Sequence, residues 1–447
     1  MLSSIVQVIS NNLLYLSRAM RINILQSQIS SVNGGSRILC TLLFGFMLLI
    51  SCDTKSTTMK SKTASELLGN PEYQAISYGG YRKESREFQP TLDQLKEDLR
   101  ILHAMGIRIV RTYNVQLPHA SNVVNAIAEL KKEDSNFEMY VMLGAWIDCE
   151  GAWTSSPNHE KEDYASNQAE IERAVELTRA YPDIVKVIAV GNEAMVHWAT
   201  SYFVKPDVIL GWVDYLQTLK VNGDLPKELW ITCSDNFASW GGGSSEYHNK
   251  DLVQLAKAVD YVSMHTYPFH DTHYNPSFWN IEAVKTYKDT NDVNSLLMEA
   301  AVNYSKMQYR QVADYLKSIG VDKPIHIGET GWASKSDGFY GPEGSKAADE
   351  LKQSLYHKGM RKWTAAEGIS CFYFEAFDEP WKSSANPNDS ENHFGLFTRD
   401  GKAKYTLWPL VDSGVFEGFS RDGKSITKTY NGESNLLNKD VHLPVLK

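Results

Sequence analysis

The chain runs to 447 residues with 43% hydrophobic and 22% charged positions, enough apolar sequence to bury a large core and too much for a disordered polymer. Its formal charge of −9, with acidic and basic residues interspersed and no Lys/Arg-rich block, lacks the basic footprint that a phosphate backbone demands, which excludes nucleic acid as a partner. Five cysteines at positions 40, 52, 149, 233 and 371 form no CxxC pair, so neither a zinc site nor a disulfide framework is indicated.

The first element is a targeting device. Ile38–Ile50 reads ILCTLLFGFMLLI behind Arg37, an apolar run too short for an ordinary membrane span and flanked like the core of a signal peptide. Leu49-Ile50-Ser51-Cys52 resembles a bacterial lipobox, in which the cysteine is lipidated and becomes the first mature residue. Residues 1–51 are therefore expected to be a lipoprotein signal peptide. Residues 52–70 are expected to be the anchor and a flexible tether, because 53–66 (DTKSTTMKSKTASE) are polar, lack aromatics and carry no hydrophobic period. The expected location is an exported, membrane-anchored lipoprotein of a bacterial envelope.

From residue 71 to 447 short apolar runs alternate with segments of helical period, the pattern of a parallel sheet with crossover helices. The candidate strands, in order, are Gln74–Gly79, Ile107–Tyr113, Met139–Trp146, Val185–Val190, Leu229–Ser234, Tyr261–Tyr267, Pro324–Glu329 and Ile369–Ala376. Between the first two, Leu92, Leu95, Leu99 and Leu102 recur at three and four residues, and Gly106 ends that helix. Eight such units without a composition break predict a single-domain (β/α)8 TIM barrel of the α/β class. The glycine- and serine-rich segment Ser239–Asn249 is expected at the rim after the fifth strand.

Barrel enzymes carry their chemistry at the carboxyl ends of the strands, so the strand map is also a site map. Glu193 follows the fourth strand in AVGNE and Glu329 ends the seventh in HIGETGW. Breaking a glycosidic bond needs a proton for the leaving oxygen and negative charge beside the anomeric carbon, which two facing carboxyl groups supply. Either glutamate alone could equally be a rim ion-pair residue; the pair at two strand ends is the more specific signal. His265 reads as a hydrogen-bonding residue, since no second His or Cys stands at ligand spacing, and no metal or cofactor is expected.

These segments resemble glycoside hydrolase family 17. VRTY (110–113), IAVGNE (188–193), HTYPF (265–269), GETGWAS (328–334), FDEPWK (377–382) and ENHFGLF (391–397) are each similar to a family motif, over roughly Tyr73 to Trp408. The resemblance implies a retaining β-1,3-glucan hydrolase with Glu193 as acid/base and Glu329 as nucleophile. It also implies substrate-binding roles for Arg111, Tyr113, Asn192, Tyr267, Trp332, Glu379, Trp381, Lys382 and Glu391. Asn192 would bond the 2-hydroxyl of the reacting sugar, Tyr267 would hold Glu329, and Trp332, Trp381 and Trp146 would stack on sugars. The expected partners are a β-glucan chain and, through lipidated Cys52, a membrane, the barrel itself being a monomer. Ala333 and Asp378 depart from the family pattern. Three rival readings share these features: a β-1,3-glucanosyltransferase, in which a sugar hydroxyl replaces water; a lipid-anchored glycan-binding protein without turnover; and another family of the same clan acting on mannan or cellulose, which the GETGW and ENHFGLF segments disfavour.

Overall fold

The β-branched and aliphatic runs of the sequence do close into a barrel. The computed structural model describes residues 61–279, 281 and 290–444; Cys52 and the apolar run before it lie outside them. Eight parallel strands, β1 (Gln74–Ser77), β2 (Ile107–Arg111), β3 (Tyr140–Ala145), β4 (Val185–Asn192), β5 (Trp230–Asn236), β6 (Val262–His265), β7 (Ile325–Gly331) and β8 (Cys371–Phe374), pair in sequence order, and β8 returns to β1. All eight fall on the expected runs, with ends shifted by a few residues.

Seven long helices cover the sheet: α1 (Leu92–Ala104), α2 (Pro118–Glu133), α3 (Tyr164–Ala180), α4 (Pro206–Asn222), α5 (Lys250–Ala258), α6 (Thr290–Ser318) and α7 (Glu350–Ala366). Their starts follow from local chemistry. Thr91 and Gln94 form a capping box for α1, Asn249 and Asp349 cap α5 and α7, and proline occupies the first turn of α2 and α4. Of the predicted stripe of α1, Leu95, Leu99 and Leu102 are fully buried and Leu92, at the first turn, is partly buried against the core.

The expected eighth helix is absent among the described residues. After β8 the chain offers short helical turns, among them Trp408–Asp412 and Ser434–Leu437, and the hairpin Ser420–Arg421/Lys424–Ser425. A buried ion cluster fastens this segment: Asp98 of α1 accepts from Tyr78 Oη (3.0 Å), Arg82 Nη2 (3.0 Å) and Arg421 Nε (2.8 Å). The sequence here lacks a sustained helical period, and the side-chain cluster closes the barrel instead.

The tether boundary is also corrected. Thr63 and Glu66 form a capping box around the turn Ala64–Leu67, whose Ala64 and Leu67 are buried with Ala75, Ile109, Met142, Val187 and Phe372 inside the barrel. Residues 63–70 therefore plug the floor, and Gly69 N donates to Ser370 Oγ at 2.9 Å. The Ser239–Asn249 segment is less of a rim loop than expected: Ser239, Trp240 and Gly241 are buried, and Trp240 Nε1 donates to Ser263 O. Cys149, Cys233 and Cys371 are free, buried thiols.

Candidate active site

Two ladder irregularities shape the mouth. Between β6 and β7 the register jumps so that Met264 pairs with Ile327 but His265 with Glu329; between β4 and β5 it shifts from Ala189/Thr232 to Asn192/Ser234. Such bulges re-aim side chains next to sites of chemistry. Gly328 sits in the first bulge because a Cβ there would lie 2.0 Å from Ser263 Oγ. Gly191, with φ 77°, serves the second, and Glu193 itself is held at φ 47°, a conformation that costs energy in a residue with a side chain.

Glu329 is buried and fully engaged. Its Oε2 accepts from Arg111 Nη1 (2.7 Å) and Tyr113 Oη (2.7 Å), and its Oε1 from Tyr267 Oη (2.6 Å). Burial would raise its pKa, but the His265 ring, the Arg111 cation and the two phenols outweigh burial and hold it below the ordinary carboxylate value. The group is thus kept as an anion. Burial and the Glu329 charge push the phenols of Tyr113 and Tyr267 well above their ordinary value, so both stay protonated and donating.

Glu193 is freer, with a quarter of its side chain exposed against a tenth for Glu329. His265 Nδ1 lies 3.0 Å from Glu193 Oε1, while Nε2 faces Ser234 Oγ at 2.8 Å and Arg111 Nη1 at 3.3 Å. A guanidinium can only donate, so in the neutral ring Nε2 accepts and the proton sits on Nδ1, facing Glu193; it is the charged ring that depresses the Glu329 pKa. Arg111 Nη2 also donates to Asn192 Oδ1 at 2.6 Å, which turns the Asn192 NH2 away as a free donor. Asp235 underlies this region: it accepts from Met195 N (2.8 Å) and Ser239 Oγ (2.6 Å), and burial above all pushes its pKa up to about 6.

Two cavities flank Glu329 and share Phe374 and Glu391 with it. One of about 680 Å3 includes Glu193, Trp198, Tyr267 and Tyr274. The other, of about 450 Å3, includes Asn192, Tyr113, Trp146, Trp153, Glu379 and Trp381. Glu379 is fixed beneath the second: Oε1 accepts from Tyr81 N (3.2 Å) and Oε2 from Trp381 Nε1 (2.9 Å). A Cβ on Gly79 would meet Glu379 Oε1 at 2.1 Å, so the glycine makes room for this carboxylate. Lys382 Nζ lies 3.3 Å from Glu375 Oε2 and 3.9 Å from Glu379 Oε2. Glu375 is buried deeply enough that desolvation drives its pKa well above the ordinary value despite Lys382.

Of the predicted site residues, Tyr113, Asn192, Glu193, Tyr267, Glu329, Glu379, Trp381, Lys382 and Glu391 line this mouth. Two do not face it. Trp332 is fully buried, donates Nε1 to Ala347 O (2.8 Å) and packs on Tyr356 of α7, so it is core. Arg111 lies beneath the cleft, 1% exposed, with its reach spent on Glu329, Gly328 O and Asn192. Asp378, a departure from the family pattern, accepts from Lys404 Nζ (2.6 Å) and Gly395 N (3.0 Å) and is structural. Sequence reasoning passed over Trp153, Trp198 and Asp148. Among the described residues no group of three or more His, Cys, Asp or Glu is placed to hold a metal ion, and no helix is long and apolar enough to cross a membrane.

A parallel barrel that sets an anchored carboxylate and a freer carboxyl across an aromatic-walled cleft is organised for breaking glycosidic bonds, which is the work of glycoside hydrolases. Residues 75–395 match the BtgE/BtgC glycoside hydrolase domain, and the chain belongs to that family. It superposes on an endo-laminarinase from Formosa Hel1_33_131 with a TM-score of 0.85 and 61% identity, covering 86% of this chain and 98% of that one. A glucan 1,3-beta-glucosidase of Arthroderma benhamiae is 26% identical over 73% of this chain and 85% of its own length. The glucan endo-1,3-beta-glucosidase btgC of Emericella nidulans is 23% identical over 77% of this chain, which spans only 46% of that protein.

Proposed function

We propose that the protein is a retaining β-1,3-glucan hydrolase that cuts within laminarin-type chains. The observation that carries the substrate is the 61% identity with an endo-laminarinase over 98% of that chain. Cavities on both sides of Glu329 support internal cleavage, because a chain can continue past the reacting bond in each direction.

In this reading Glu329 attacks the anomeric carbon as Glu193 gives its proton to the departing oxygen, leaving a glycosyl-enzyme. The Asn192 NH2 meets the 2-hydroxyl, a contact that tightens in the transition state. Glu193, now ionised, takes a proton from water, whose oxygen attacks the glycosyl carbon and frees Glu329. Arg111, Tyr113 and Tyr267 stabilise the carboxylate as it is released. A sugar hydroxyl in place of water would make the enzyme a glucanosyltransferase.

The test is product analysis on laminarin, cellulose and mannan side by side, with the first-formed anomer followed by NMR. Fastest cleavage of laminarin with an initial β-anomer is expected. Faster cleavage of cellulose or mannan would overturn the substrate, and an initial α-anomer the retaining mechanism.

The same proposal places the barrel, as a monomer, on a membrane through lipidated Cys52, supported by the LISC segment after an apolar run. Membrane fractionation checks it: Cys52→Ala should release the protein or leave it unprocessed, and a wholly soluble wild-type protein would remove the anchor.

A further inference from the structure

Trp153 combines three unusual properties. It is 61% exposed, its backbone sits at φ 64°, and its ring lines the cavity that holds Asn192 and Trp381. A large apolar ring displayed to water on a strained backbone persists only where its surroundings hold it. Here they do. Trp153 N donates to Ser201 O at 2.9 Å, and the ring stacks on Tyr202 with centroids 4.9 Å apart and planes 20° apart. Trp146 closes the cluster, 6.1 Å from Trp153 and 5.1 Å from Tyr202.

One carboxylate ties the rings together. Asp148 Oδ1 accepts from Trp146 Nε1 at 2.8 Å and from Trp153 Nε1 at 3.2 Å. The residues beneath are fixed to α3: Asp148 N donates to Asn167 Oδ1 (2.9 Å) and Trp146 N to Glu170 Oε1 (3.1 Å). The polar edges of both indoles are satisfied inside the cluster, which leaves Trp153 an apolar face for the cavity. A ring already immobilised loses little further entropy when a ligand stacks on it.

The side of the cleft follows from two adjacent residues, Asn192 and Glu193. A general acid must stand beside the leaving oxygen, and Glu193 belongs to the other cavity; Asn192, whose free NH2 suits the sugar that stays on the enzyme, belongs to this one. We propose that Trp153 and Trp146, clamped by Asp148 and backed by Tyr202, form a sugar-stacking subsite for the non-reducing-end side of the glucan chain. Asp148 is a positioning residue. The inference rests on the reading of the cleft as a β-glucan site.

Full-length wild-type protein and the variants Trp153→Ala, Trp153→Tyr and Asp148→Asn would be compared on laminarin and on laminari-oligosaccharides labelled at the reducing end. Loss of the platform should raise KM for laminarin roughly tenfold, more than it lowers kcat, as expected for one lost aromatic face. The defect should grow with chain length, and the cleaved bond should move toward the non-reducing end. Trp153→Tyr should recover most of the wild-type pattern. Asp148→Asn should shift cleavage the same way by less, since its amide oxygen still accepts from indole. An unchanged cleavage pattern in Trp153→Ala, or a defect equal on trisaccharide and polymer, overturns the platform while leaving the glucan reading intact. Should Trp153→Ala not fold, a wild-type pattern in Asp148→Leu, which keeps the branching at Cγ and removes the acceptor of both indoles, overturns the clamp. Wild-type protein that leaves every glucan intact overturns the glucan reading and the platform with it.

Discussion

Glu329 and Glu193 occupy comparable strand ends and yet live in different chemistry. Glu329 receives three side-chain donors, one of them a buried guanidinium, whereas Glu193 has one imidazole partner and an exposed flank. The proposed roles account for the difference: an anion that is to attack carbon has to be kept ionised and aimed. A group that must give and then take a proton gains from weaker ties, because each strong donor would favour one protonation state. The barrel supplies this difference through its side-chain inventory: Arg111 touches Glu329 and Asn192 directly but reaches Glu193 only through His265.

The largest effects should come from breaking this pair. Glu329→Ala is expected to lower kcat by about 10⁴-fold or more, and Glu193→Ala by about 10²–10⁴-fold with substrates whose leaving group needs protonation. Azide separates the roles: the Glu193 variant should yield a β-glycosyl azide, and the Glu329 variant, given an activated substrate, an α-glycosyl azide. Exchanged anomers would reverse the assignment, and the same anomer from both would remove it.

Removing the donors should show why Glu329 differs. Arg111→Met leaves a buried carboxylate without its cation, a change typically worth about 3–5 kcal/mol, so a large fall in Tm should accompany the loss of turnover. Tyr113→Phe is gentler: losing one donor raises the Glu329 pKa and moves the acidic limb of kcat/KM to higher pH. The sign has a stability counterpart. Because the folded state depresses this pKa, the contribution of Glu329 is present above the unfolded carboxylate value and is lost as pH falls through the folded one. An acidic limb that stays in place in Tyr113→Phe would show that the phenol does not tune the carboxylate.

How far this was legible in the sequence differs by feature. Both glutamates could be found because each follows a glycine at the end of an apolar run, and those glycines mark the bulges that aim them. Trp332 was misplaced although a signal existed: the alternation that turns Glu329 inward turns Thr330 and Trp332 outward, where both meet Tyr356. The floor plug was also encoded, as a Thr63-to-Glu66 capping box before Leu67, but it is hidden within a polar stretch. Trp153 had no comparable signal. Its exposure depends on a positive φ and on a hairpin, Cys149–Glu150 with Asn158–Glu162, whose NHEKE strand has no strand-like composition. The lack of an eighth helix among the described residues needed knowledge that Asp98 would gather Arg82 from the loop before α1 and Arg421 from far along the chain.

Two tryptophans sharpen the division between wall and core. Trp332→Ala should cost about 3–5 kcal/mol of stability, as large aromatic deletions in packed interiors do, read as a fall in Tm with KM little changed. Trp381→Ala should do the reverse, raising KM severalfold with a smaller loss of Tm, because that ring lines the cleft. If Trp332→Ala raised KM at unchanged Tm, its placement in the core would be wrong.

The effect that leaves turnover least changed concerns Asp235, which anchors the loop behind Glu193. Its pKa of about 6, against an ordinary 3.8, means that between those pH values the folded protein holds a proton that the unfolded chain has released. This is opposite in sign to Glu329: the stability contribution is greatest below the unfolded value and declines as pH rises to about 6. The full swing is at most about 3 kcal/mol for a shift of that size. Asp235→Asn removes the titration at the cost of one acceptor: its amide oxygen still accepts from Met195 N, its NH2 can donate to Ser239 Oγ, and Asn236 N loses its Oδ1 partner, a loss that does not depend on pH. Urea unfolding from pH 4 to 7 should therefore show the wild type losing stability relative to the variant across that window, then running parallel above it. A constant difference throughout would mean that Asp235 titrates alike in the folded and unfolded chains, and that the loop behind Glu193 is wetter than its burial implies.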